Sequence, residues 1–178
     1  MLKNQQDIRI QLGGQLETIA QAKVYLQGMS EQSYQAILSP HFSGSAGAHM
    51  RHILDHYIAL KDGMLSGTVD YNKRHRFSEV EKSPAAAMQM WLEIEHWLER
   101  ICQLSAHMPL MVSCETSLQQ TQNSITQSTL ARELVFVSSH AVHHFSLLAV
   151  IASLQGRESD NNFGMAPATV SHMRRQAS

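Results

Sequence analysis

The chain has 178 residues, 43% of them apolar and 16% charged, which suits one domain (residues 1–178) with its own core and no need of disulfide staples. Fourteen basic residues against fifteen acidic ones leave no strong field, which argues against nucleic acid or anionic lipid as partners. With no run of about 18 apolar residues and no signal pattern at Met1-Leu2-Lys3-Asn4, the expectation is a cytoplasmic protein without a membrane span.

In chain order, Ile8, Leu12, Leu16, Ile19, Ala20, Val24 and Leu26 recur at helical spacing, predicting a helix over about residues 5–27 that Gly28 ends. Residues 30–47, with Pro40 and several Ser and Gly, read as a connection. Ser43 or Ser45 can cap a second helix reaching about Leu65, with Ala48, Ile53, Tyr57, Leu60 and Met64 on its apolar face. The charged, nonperiodic stretch Asp70–Arg76 reads as a solvated loop. Ser78-x-x-Glu81 resembles a capping box, and Pro84 suits the first turn of a third helix running to about Ala106. Its inner side is expected to carry Met88, Trp91, Leu92, Glu95, Leu98, Ile101 and Cys102. Residues 107–127 lose the helical period and suit a short β-ribbon. Ser128 or Thr129 then caps a last helix to Leu154, stopped by Gly156, with Leu130, Leu134, Val137, Val142, Phe145, Leu148, Ile151 and Ala152 inward. The tail from about 157 is expected to pack on the domain or stay partly flexible. Four long helices with no convincing sheet predict an all-α four-helix bundle. Cys102 and Cys114 have no disulfide or C-x-x-C spacing.

Eleven histidines are the unusual feature. Six fall in two clusters: His49, His52 and His56 on the second helix, and His140, His143 and His144 on the last. Residues four apart on a helix share a face, so His140 and His144 can both reach one metal ion. The His-x-x-x-His spacing matches that of zinc proteases but lacks their glutamate, since Ala141 stands at the second position, so a protease reading fails. The second helix offers a facing stripe at i, i+3 and i+7 from which a third ligand can come. Imidazole suits zinc, nickel, iron and copper alike.

Gly47-Ala48-His49-Met50-Arg51-His52-Ile53-Leu54-Asp55-His56-Tyr57 resembles the second-helix motif of the DinB-like metalloprotein superfamily. Glu133 to Leu148, with Ser139-His140-Ala141-Val142-His143-His144-Phe145, resembles its last-helix motif, and Phe163-Gly164-Met165-Ala166-Pro167-Ala168-Thr169 resembles a poorly characterised branch. The resemblance implies an up-down-down-up bundle and a three-ligand metal centre of His52, His140 and His144, with His49 as the alternative to His52. It further implies a divalent ion, zinc or nickel ahead of iron or copper. The chemistry implied is activation of a low-molecular-weight thiol or of water, in a thiol S-transferase or a hydrolase acting on a small molecule. A non-enzymatic metal-binding or stress-response protein working through dimer or partner contacts is the alternative, so enzyme status stays open.

His49, His56 and His143 are pocket candidates, and Asp55 or Glu133 can accept a hydrogen bond from a ligating ring or simply face solvent. Ten methionines and sparse charge suggest a homodimer.

Overall fold

In the computed structural model, the structure describes the backbone of residues 2–177 and the side chains from residue 8 to 177. The chain order is α1 (Leu2–Leu26), α2 (Glu31–Gln35), α3 (Ala46–Ser66), β1 (Thr68–Asp70), α4 (Glu79–Lys82), α5 (Pro84–Arg100), β2 (Pro109–Glu115), β3 (Asn123–Thr129), α6 (Leu130–Leu154) and α7 (Pro167–Gln176).

Four long helices form a square in which α1 and α3 each pack against both α5 and α6. The all-α, up-down-down-up expectation is nevertheless overturned. β2 and β3 pair antiparallel in full register from Pro109↔Thr129 to Glu115↔Asn123, and β1 joins β2 in parallel, giving a three-stranded mixed sheet in the order β1-β2-β3. The sheet is therefore more than the short ribbon expected before the last helix: β1 adds a third strand that ties the end of α3 to it. Period-two burial shows why it forms: Leu110 and Val112 turn inward while Pro109, Met111 and Ser113 are more exposed. Three residues of β1 are too few to leave a pattern in the sequence.

Local chemistry explains the ends of the helices. The Ser45 hydroxyl accepts from the amide of Ala48 at 3.1 Å and starts α3, and Gly67 closes it in the left-handed region at φ 80°. Thr129 caps α6 by accepting from the amide of Arg132 at 3.3 Å. The capping box at Ser78 is not made. Its hydroxyl has no partner, and Glu81 instead accepts from Arg51 and from the amide of Phe77. The third helix starts at Ser83 and Pro84, and ends at Arg100, short of Ala106.

Some core faces differ from expectation. On α1, Leu16, Ala20 and Val24 are exposed, while Gln15 is buried and donates to the carbonyl of Leu134 at 2.7 Å. Its carbonyl oxygen accepts from the Tyr57 hydroxyl at 2.8 Å. On α5, Leu92 faces out and Ala87, Ile94 and Trp97 face in. Gly63 permits the closest packing of α3 on the sheet, since a Cβ there would sit 2.6 Å from the Cα of Val69. The tail is anchored by Phe163, stacked between Tyr25 and Phe145 with centroids at 5.0 and 5.1 Å.

Among the described residues, α6 is the one helix long and apolar enough to cross a membrane, with a mean hydropathy of 1.7 over its best window. It carries a fully buried Glu133 and three histidines and packs on α1 and α3, with a third of that window buried. Cys102 and Cys114 are free thiols.

Candidate metal centre

Packing of α3 on α6 brings the two histidine clusters face to face. Nε2 of His52 lies 3.1 Å from Nε2 of His140 across 88 positions of sequence. One nitrogen from each of His52, His140 and His144 falls in a group whose members all lie within 4.8 Å of one another. Four ligands arranged tetrahedrally about zinc at about 2.05 Å stand about 3.3 Å apart. The 52–140 pair, at 3.1 Å, already has about that spacing, and the other separations are no more than 4.8 Å. The donor set fits a borderline divalent ion: three imidazole nitrogens beside an open cavity, with the Arg51 guanidinium as the cation on its lining.

The three rings stay neutral. Burial pushes the His52 imidazole down to about 2, helped by the neighbouring imidazoles of His56 and His144 and by Arg74. Burial likewise lowers His140 to about 3 and His144 to about 4, with surrounding histidines adding to each. A neutral imidazole is the form that ligates metal.

The pocket candidates divide. His49 places Nδ1 2.9 Å from Nδ1 of His144, so it partners a ring of the cluster and lies outside the 52-140-144 group. With His41, Phe42, Ser43, Gly44, Ala48, Arg51, His52, His144 and Leu147 it lines an open cavity of about 340 Å³ beside the cluster. His56 is buried and stacks flat on His140, with centroids at 3.9 Å and planes 25° apart. His143 is exposed and meets His144 edge-on, with centroids at 5.2 Å and planes 74° apart.

Neither carboxylate serves the cluster as expected. Asp55 is buried, but its oxygens accept from Arg51 Nη1 at 2.8 Å and from His75 Nδ1 at 2.7 Å. Glu133 is buried too and accepts from the Tyr71 hydroxyl at 2.7 Å, from Arg132 at 2.8 Å and from Ser128. Each is drawn off by a local cation, Arg51 or Arg132, together with a distant partner, His75 or Tyr71. Tyr71 and Phe136 were not visible as site residues. Tyr71 sits in a nonperiodic loop, and it reaches α6 only because β1 pairs with β2. A sequence signal did exist for the ion pair of Arg51 with Asp55, at i and i+4 on α3.

No protein-family model and no solved structure matches the chain. It is similar to a protein named FK506-binding protein 5 from Rhizopus delemar, with 30% identity over 108 residues, or 61% of this chain and 28% of that relative. The chain thus spans well under a third of the relative it matches.

Proposed function

We propose that this chain is a divalent-metal protein of the DinB-like type, with His52, His140 and His144 as ligands and zinc or nickel as the ion. The observation that carries this reading is the convergence of ligand nitrogens from α3 and α6, with two Nε2 atoms 3.1 Å apart. The motifs around His52 and His140 that resemble the DinB-like superfamily support it.

A bound ion would lower the pKa of a thiol or water on its open side. The chain's own residues supply the rest. Neutral His52, His140 and His144 each keep one unprotonated ring nitrogen for an ion. His49 partners His144, and Phe42 and Leu147 give the 340 Å³ cavity apolar walls for a small substrate. Hydrolysis ordinarily adds a general base to activated water. Both buried carboxylates near the cluster are already committed, Asp55 to Arg51 and His75, Glu133 to Tyr71, Ser128 and Arg132. A base for hydrolysis would then have to be an imidazole such as His49 at the cavity, and thiol activation, which needs a lowered pKa but no positioned carboxylate, is the simpler reading. Commitment of both buried carboxylates also suits a second reading, a metal-binding protein without catalysis that acts through dimer or partner contacts. A homodimer and a cytoplasmic location belong to this proposal.

FK506 binding is a property in the name of a relative of which this chain spans 28%. Added FK506 that leaves the unfolding temperature unchanged keeps it there.

The enzyme reading is tested with a panel of thiol conjugates and simple esters, comparing zinc-loaded wild type with His52→Ala and His144→Ala. Turnover confined to the wild type supports it. Equal background in all three proteins removes catalysis and leaves the binding reading.

A further inference from the structure

The proposed chemistry leaves unused the stack of rings on the far side of His140. Its foundation is Glu133, a carboxylate with 0% exposure in the first turn of α6. Such a group is costly to bury unless it is fully bonded. Here one oxygen takes the Tyr71 hydroxyl at 2.7 Å, while Arg132 and Ser128 hold the other. The hydroxyl is thereby pinned, and with it the tyrosine ring, which also packs on Phe136 with centroids at 4.9 Å.

Tyr71 lies nearly parallel to His56, with centroids at 5.2 Å and planes 20° apart. His56 in turn lies nearly parallel to His140 at 3.9 Å. The His56 ring has its own anchor, since Nδ1 lies 2.9 Å from the carbonyl oxygen of His52. A carbonyl only accepts, so Nδ1 carries the proton and the ring cannot flip without losing the bond. Three flat rings thus run from a buried carboxylate to the face of His140, whose edge carries Nε2 toward His52.

We propose that Glu133, Tyr71 and His56 form a positioning unit that fixes the plane of the His140 ring and so aims its Nε2 at the point shared with His52 and His144. This inference rests on the metal-binding reading. It makes these three positioning residues, acting through His140 with no contact to substrate.

The test is titration with Co²⁺ followed by visible absorption, whose bands report ligand geometry. Tyr71→Phe keeps every ring and removes one hydroxyl from a residue two rings away from His140's nitrogen. It is expected to weaken Co²⁺ binding about tenfold and to change the shape of the bands, as loss of a ligand-orienting partner does. His56→Ala is expected to lose more, up to about a hundredfold, and His56→Phe to recover part of the loss by restoring a flat face. Far-UV circular dichroism and the urea midpoint of each sample separate a misplaced ring from a lost fold. Should His56→Ala fail to fold, Tyr71→Phe and His56→Phe carry the comparison. Wild-type affinity and bands in folded Tyr71→Phe and His56→Phe overturn the positioning role and leave the metal reading standing. A wild type that binds no Co²⁺ overturns the metal reading itself, and the positioning role falls with it.

Discussion

Acidifying the metal-free protein from about pH 7 to 5 should destabilise it before ordinary carboxylates titrate. His52, His140 and His144 have folded values pushed down to about 2, 3 and 4, against 6.5 for an unburied imidazole. Below 6.5 the unfolded chain takes up protons at these positions and the folded chain does not, so stability is fully present above that value and falls as pH drops. Each such proton costs about 1.4 kcal/mol per pH unit, giving a ceiling of about 4 kcal/mol per unit for three rings. The rings border an open cavity, and solvent screening discounts the effect, so about 2 kcal/mol per unit between pH 6 and 5 is the working expectation. Urea unfolding in EDTA, followed by circular dichroism at several pH values, measures it directly. Replacing His140 with glutamine should cut the slope by about a fifth to a third, since burial lowers His49 and His56 as well as the three cluster rings. Identical urea midpoints at pH 7 and 5 would refute the claim that burial keeps these rings neutral.

Other perturbations read the scaffold around the centre. Gly63→Ala drives a methyl to within 2.6 Å of the Val69 backbone and should cost about 1–3 kcal/mol in urea titration. Asp55→Ala strands the largely buried Arg51 beside Glu81 alone and frees His75, with an expected loss of about 3 kcal/mol that salt barely changes. Ser45→Ala removes the cap of α3, one turn before His49, and should lower stability by about 1 kcal/mol by thermal melting.

The long amphipathic helices were legible because their apolar residues repeat at a period that sequence displays directly. α6 illustrates this: Leu130, Leu134, Val137, Phe145 and Leu148 are expected inward and are buried. The facing histidine stripes were legible for the same reason, since helical spacing alone puts His140 and His144 on one side. What stayed hidden depends on contacts between distant segments. β1 is three residues long and owes its existence to pairing with β2, so no local pattern announces it. Tyr71 belongs to the site only through that pairing. On α1 the inner face is rotated because Gln15 is buried to satisfy the carbonyl of Leu134 and the Tyr57 hydroxyl, where a polarity pattern would place it outside. Ser78 and Glu81 match a capping box in letters. Arg51 lies close enough to claim the carboxylate, and the box is never assembled.

Elemental analysis and anomalous scattering on protein purified without a histidine tag, then given zinc, address the metal centre most directly. About one ion per chain, located between the rings of His52, His140 and His144 and lost in His140→Ala, is the predicted result. Less than about 0.1 ion per chain, or an ion bound somewhere that leaves these rings free, would contradict it.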